Sequence, residues 1–153
     1  MAKYHYIFAT ATHRKIKSFA QVAAAKWHGQ TLGFFLGDTE LGSGELCLSH
    51  RKKKYLHTDA TGLNDNQRRK GHGIHLYFAL IRAAKFIGAR RLYSGRRLNK
   101  YSGNMWCNKL RKFFEVVGPK KKKPCSCRCR NCKNQWGRYY IDLTKIKLRD
   151  IPI

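Results

Sequence analysis

The chain has 153 residues, with 33 Lys and Arg against 8 Asp and Glu and a net charge of +25. That length and a 42% apolar content fit one folded domain with a real core, and so basic a domain calls for a nucleic acid, a nucleoprotein or an acidic protein as partner. No stretch approaches the roughly 20 apolar residues of a membrane span and the N-terminus lacks a secretory h-region, so the expectation is a soluble cytoplasmic protein with no membrane partner, its cysteines reduced or metal-bound.

Tyr4 to Thr10, aromatic and β-branched, reads as a first strand. Ile16, Phe19, Ala20, Ala23 and Ala24 fall at helical spacing and predict a helix over 16–27 that ends near Gly29. Thr31–Gly37 and Gly44–His50, separated by a turn-rich stretch, form a hairpin. Lys54–Leu63 is a strand with Tyr55, His57, Asp59 and Thr61 on one face. From Gly73 the positions Ile74, Tyr77, Phe78 and Ile81 make an amphipathic helix that stops at Gly88. Arg90–Ser94 is a short strand, and Ser102–Val117 a second long helix with Trp106, Leu110, Phe113 and Val117 in register before Gly118-Pro119. A basic, cysteine-rich loop follows over 120–135, and Arg138–Ile146 closes the chain as a last strand. The fold class is α/β (α+β), a mixed central sheet flanked by helices in a single domain over 1–153.

The stretch QRRKGHGIHLYFALI, Gln67 to Ile81, crowds cations and glycines at the start of a helix. Helix N-termini present unpaired N–H groups and the positive end of the dipole. Glycines at 71 and 73 let the backbone approach a bulky anion, and cations beside them add charge. The stretch is neither a Walker A loop nor G-x-G-x-x-G. By its physics it is a pyrophosphate cradle or a plain basic turn.

Arg68-Arg69-Lys70-Gly71-His72-Gly73 matches Gln/Arg-x-x-Gly-x-Gly/Ala, and it lies between a fourth strand and a helix. In this the chain resembles the GNAT superfamily of N-acetyltransferases. GARRLYS is similar to that family's fifth strand, and Phe113-Phe114-Glu115-Val116-Val117-Gly118 stands in the place of its Phe-Tyr-Glu-x-x-Gly. The resemblance implies a GNAT-like fold with acetyl-CoA in a cleft between the fourth and fifth strands. Backbone groups near Leu63 would pair with the pantetheine arm. The amides of Arg69, Lys70, Gly71, His72, Gly73 and Ile74 would hold the pyrophosphate, assisted by the Arg68 and Lys70 side chains.

The same resemblance puts the general base at His57, where the family carries a carboxylate; histidine's usual pKa of about 6.5 suits that task. Asp59, two residues on, is the alternative base. Phe114 replaces the tyrosine that would act as general acid, which leaves Tyr101, Tyr139 or Tyr140 to supply the proton. The implied function is acetyl-CoA-dependent transfer of an acyl group to an amine on a nucleic acid or a nucleic-acid-associated acceptor. The alternative is a non-catalytic nucleic-acid-binding or inhibitory protein on the same scaffold.

Cys125, Cys127, Cys129 and Cys132 form a C-x-C-x-C-x2-C cluster that could close a tetrahedral Zn2+ site. The other reading is a reduced loop whose thiols do nothing specific. Lys120, Lys121, Lys122, Lys123, Arg128, Arg130, Lys133 and Arg138 are interleaved with Trp136, Tyr139 and Tyr140, a pattern suited to phosphate contact with base stacking. Further basic runs stand at 51–54, 90–91 and 96–97. Cys47 and Cys107 read as core residues.

Overall fold

The computed structural model of the chain describes residues 2–10, 14–24, 30–95, 98–118, 123–124, 135–136 and 138–152. The strands are β1 (Tyr4–Ala9), β2 (Gln30–Leu36), β3 (Thr39–His50), β4 (Tyr55–Leu63), β5 (Arg91–Tyr93), β6 (Val116–Val117), β7 (Lys123–Pro124), β8 (Gln135–Trp136) and β9 (Tyr140–Asp142). The α-helices are α1 (Phe19–Ala23), α2 (Gly73–Phe86) and α3 (Lys100–Asn104). Seven strands form one mixed sheet in the order β1-β2-β3-β4-β5-β9-β6, and β7 pairs separately with β8. Every neighbour in the large sheet is antiparallel except β4 and β5. The mixed sheet with helices packed on it is the expected class.

The core lies between the sheet and α2. Leu32, Phe34, Leu46, Leu56 and Leu92 are wholly buried, as are Phe78, Leu80 and Ile81 of the helix. Each such side chain contributes about 2 kcal/mol through removal from water. Trp106 is also wholly buried and meets Tyr77 edge-on, at 6.1 Å between ring centroids. That contact docks the segment after α3 onto α2.

Two helices differ from expectation. Ile16 is buried but pairs with β1, its amide donating to the Phe8 carbonyl at 2.9 Å. The helix begins only at Phe19, because Gln21 Oε1 accepts from the amides of Lys17 (2.6 Å) and Ser18 (3.1 Å) and so caps the start. The long helix expected over 102–117 is instead α3, a wide π turn over Met105–Lys109, and a 3-10 turn over Leu110–Lys112. Trp106 and Leu110 are buried as predicted, whereas Phe113 is 51% exposed. Val116 and Val117 leave the helix to pair with Ile141 and Tyr140, where β-branched side chains pack well. The last strand is likewise shorter than expected, because Asp142 caps a 3-10 turn at Leu143–Lys145.

β4 carries a bulge. Its register to β3 shifts between the pairs Ser43–Gly62 and Glu45–Asp59, and Ala60 takes φ +45°. The extra residue turns Thr61 away from Asp59's face: a side chain at Gly44 would meet Thr61 Oγ1 at 3.0 Å and Leu80 on the helix side at 3.1 Å. Gly42 is what lets the strands approach here, since a Cβ would sit 2.4 Å from the Gly62 carbonyl oxygen.

At the start of α2, His75 stacks on Tyr4 at 4.3 Å and meets Phe78 edge-on. Its Nδ1 is buried with no hydrogen-bond partner among the described residues. Burial, reinforced by the neighbouring His72, holds its pKa below the usual histidine value. The unfolded chain therefore takes up this proton first as pH falls. Stability from this site is full above about pH 6.5 and is lost as pH drops toward the lower folded pKa. Denaturant unfolding at about pH 7.5 and about pH 5.5 should show a smaller acid loss in His75→Phe, which keeps the ring stack without the titrating group.

Candidate active site

The turn ahead of α2 is shaped by left-handed backbone at two positions, Arg69 (φ +62°) and Gly71 (φ +84°). A Cβ on Gly71 would meet nothing within 4 Å, so the turn opens onto free space. The α2 hydrogen-bond ladder begins with His75 and Leu76 donating to the His72 carbonyl, at 3.1 and 3.2 Å. The first amides of this 14-residue helix, at Gly73 and Ile74, have no intrahelical acceptor. Gly73 has ordinary contacts, 3.6 Å to Met105 Cε and 4.0 Å to Leu63 Cδ1 for an added Cβ, so an alanine would fit there.

The side chains around this turn divide. Arg69, Lys70 and Gly71 are exposed. His72 is turned inward, its Nδ1 hydrogen-bonded to Tyr4 Oη at 2.8 Å, so its ring anchors the turn to β1 and only its backbone faces the anion position. Arg68 folds back, with Nε donating to the Leu63 carbonyl at 3.4 Å and Nη2 at 3.4 Å from Asp65. It braces the turn instead of reaching out as the sequence implied.

A wedge leads away from this turn. β4 and β5 pair only over Tyr55–Arg91, Leu56–Leu92 and His57–Tyr93. Beyond that the chain after β5 bonds to β9's approach, with the Ser94 amide donating to the Tyr139 carbonyl at 2.8 Å and the Tyr139 amide to Ser94 Oγ at 3.0 Å. β4 runs on to Leu63 paired with β3 alone. Its other edge, from Thr58 to Leu63, faces the wedge with backbone groups that no strand among the described residues takes up, the Leu63 carbonyl accepting from Arg68 Nε.

His57 stands at the apex of the wedge. Its Nδ1 is 2.6 Å from Ser49 Oγ, which also accepts from Arg138 Nη1 at 3.3 Å. A register shift between Leu48 and His50 turns Ser49 toward His57. Asp59 is exposed one step further along the strand and accepts from the Ala60 amide at 2.8 Å. Glu45, Cys47 and Asp59 bring their ligand atoms within 4.8 Å of one another, an arrangement unique among the His, Cys, Asp and Glu of the described residues. Cys47 is thus half-buried on the polar face and not a core residue, whereas Cys107 is buried and donates to Tyr139 Oη at 3.1 Å.

The structure separates the remaining candidates. Phe114 is buried against Phe78, at 6.0 Å between centroids, and has no proton to give. Tyr139 is buried on the helix side, so it does not enter the cleft. Tyr101, on α3, is 66% exposed. Tyr140 lies on the His57 face, 5.0 Å from Tyr93. Cys125, Cys127, Cys129 and Cys132, with Lys120, Lys121, Lys122, Arg128, Arg130 and Lys133, lie outside the described residues, and Lys123 is described only as backbone of β7. Sequence reasoning missed Ser49 and Glu45, and read Arg138 as a phosphate contact and not as a partner of Ser49. Counting back from the turn at 51–54 would have set β3 beside β4, but not the register shift that aims Ser49.

No protein-family model and no curated protein matches the sequence. Solved structures do match in fold. A spermidine N-acetyltransferase chimera from Vibrio cholerae and hSSAT superposes with a TM-score of 0.61 at 10% identity, over 93% of this chain and 97% of the other. Spermidine N-acetyltransferase from Vibrio cholerae, solved with CoA and spermine, gives 0.57 at 12% identity, over 78% and 68%. A probable GNAT-family acetyltransferase from Chromobacterium violaceum gives 0.53 at 14% identity, over 82% and 62%.

Proposed function

The chain has the GNAT acetyltransferase fold, and we propose that it is an acetyl-CoA-dependent N-acetyltransferase. The observation that carries this reading is the turn at Arg68–Gly73: left-handed glycine backbone, open space, exposed cations and free helix amides at the mouth of a wedge in the sheet. These features fit a pyrophosphate. The amides of Gly71, Gly73 and Ile74 would bind it, with Arg69 and Lys70 adding charge. The unpaired edge of β4 up to Leu63 fits an extended amide-bearing arm, which would complete the strand's hydrogen bonds. When bound, the cofactor supplies an activated acyl group at the apex of the wedge.

The chain's own residues would then manage protons. With Nδ1–H donating to Ser49 Oγ, His57 presents Nε2 as the base that takes a proton from the attacking amine. Arg138 and Ser49 hold that ring in place. Glu45 and Asp59 make an acidic corner beside it, which attracts a protonated amine to an otherwise cationic molecule. The exposed Tyr101 and the half-buried Tyr140 are the hydroxyls available to protonate the leaving thiolate.

The acceptor we propose is an amine carried by, or bound to, a nucleic acid, a reading supported by the net charge of +25. A non-catalytic binder on the same scaffold is the second reading, favoured by Phe114 where an acid would stand. The test is calorimetric titration of acetyl-CoA, followed by thiol release with spermidine, a lysine-rich peptide and aminoacyl-tRNA as acceptors. Saturable binding without thiol release from any acceptor would favour the second reading, and no binding would overturn the first. No helix among the described residues is long and apolar enough to cross a membrane.

A further inference from the structure

We propose that the face of the sheet opposite α2 is a docking surface for single-stranded nucleic acid, with Tyr55, Tyr93 and Tyr140 as stacking platforms and Arg91 as their cationic centre. The strand registers place Tyr55, Arg91 and Asp142 in one row and His57, Tyr93 and Tyr140 in the next. Successive residues of a strand alternate faces, so these side chains share the side away from the buried Leu56, Leu92 and Ile141. The rings form a connected array, 5.6 Å from Tyr55 to Tyr93 and 5.0 Å from Tyr93 to Tyr140. The Arg91 guanidinium lies 4.8 Å above Tyr55 and 4.2 Å above Tyr140, and its Nη1 donates to Tyr93 Oη at 3.0 Å.

All four side chains are half-buried, so the array keeps an outer surface open to solvent. The array is also edged with cations. Lys52 and Lys53 are exposed in the turn that leads into Tyr55, with Lys53 Nζ 6.0 Å above that ring, and Arg90 is exposed beside Arg91, whereas Arg51 of the same turn donates to the Ala23 carbonyl of α1 at 2.9 Å. Arg138 adds charge at Ser49. Acids share the face as well, Glu40 of β3 and, nearer the array, Asp142, Glu45 and Asp59. Asp142 is engaged by the Thr144 amide (3.0 Å) and hydroxyl (2.6 Å), while Glu45 and Asp59 lie past His57 at the wedge. Exposed rings among cations fit a ligand with both π-faces and phosphates. A duplex keeps its bases stacked inside and would leave the rings unused, and an acidic protein would use the charges alone. This assignment does not depend on acyl transfer.

Fluorescence anisotropy with labelled oligodeoxythymidine and oligouridine of about 15 nucleotides, and a duplex of equal length, tests it. Single strands should bind about tenfold tighter than the duplex, and Tyr55→Leu and Tyr140→Leu should each weaken them about tenfold with little change in salt dependence. Tyr55→Phe and Tyr140→Phe should bind as the parent does, and Arg91→Gln should reduce the salt slope by about 0.7. A preference between the two strands identifies DNA or RNA as the natural source. Leucine variants that bind as tightly as the parent, or displacement by heparin as readily as by unlabelled oligonucleotide at equal charge, would overturn the proposal. Acetyl-CoA titration and thermal unfolding of each variant separate a lost surface from a lost fold.

Discussion

Gly71→Glu is expected to abolish saturable acetyl-CoA binding, a loss of at least about 100-fold in affinity. Two effects act together. A left-handed φ of +84° is strained for any side-chain-bearing residue, by roughly 1–2 kcal/mol. The carboxylate would also project into the open space before the helix amides, where it would compete with the pyrophosphate for the same donors. Gly71→Ala carries the first effect without the second and should lose less. Gly73→Ala should bind nearly as the parent does, because an added Cβ there makes only van der Waals contact. Calorimetry must be run at moderate salt, since a +25 protein attracts any polyphosphate weakly. Equal affinity in Gly71→Glu and the parent would remove this turn from the cofactor site.

His57→Ala is expected to lower turnover by about 10²- to 10⁴-fold, the usual contribution of a positioned base, with acetyl-CoA affinity unchanged. The affinity should hold because His57 sits at the apex of the wedge, away from the phosphate turn. Ser49→Ala should show a smaller loss, since it removes the partner that orients the ring and not the ring itself. Asp59→Asn should act mainly on the KM for cationic acceptors, because its carboxylate belongs to the acidic corner. Steady-state thiol release with spermidine separates these effects. Full turnover in His57→Ala with a tenfold or greater loss in Asp59→Asn would assign the base to Asp59 instead.

The parts of the site legible in the sequence were those whose chemistry is local. Gly71 and Gly73 flanked by cations, followed by an apolar stripe of helical period, announced both the turn and α2, and both are where the pattern put them. His57 was singled out through the family resemblance, which expects a base at that position of the fourth strand. Ser49 was hidden because it reaches His57 through a register shift, and the Arg138 contact to Ser49 because it crosses from a distant part of the chain, neither of which a local pattern encodes. The third helix misled for a related reason. Its apolar spacing is real up to Leu110, but Val116 and Val117 answer to β9, a partner beyond a long insertion. Thr61 shows the limit of alternation itself, since one bulged residue moves every later side chain to the other face.

The placement of β9 between β5 and β6 has a consequence for how the molecule assembles. β2 to β4 form a meander of antiparallel neighbours joined by short turns, so they can form early, with β1 adding across the α1 segment. The wall opposite β4 needs β5, which returns only after α2, and β5 is itself held by residues 140–142 near the end of the sequence. The wedge therefore takes shape after the meander, and during synthesis it cannot exist until β9 has left the ribosome. Pulse-labelled hydrogen exchange during refolding should find the amides of β2 and β3 protected before those of β5 and β9. Simultaneous protection would mean that the meander does not form ahead of the wedge.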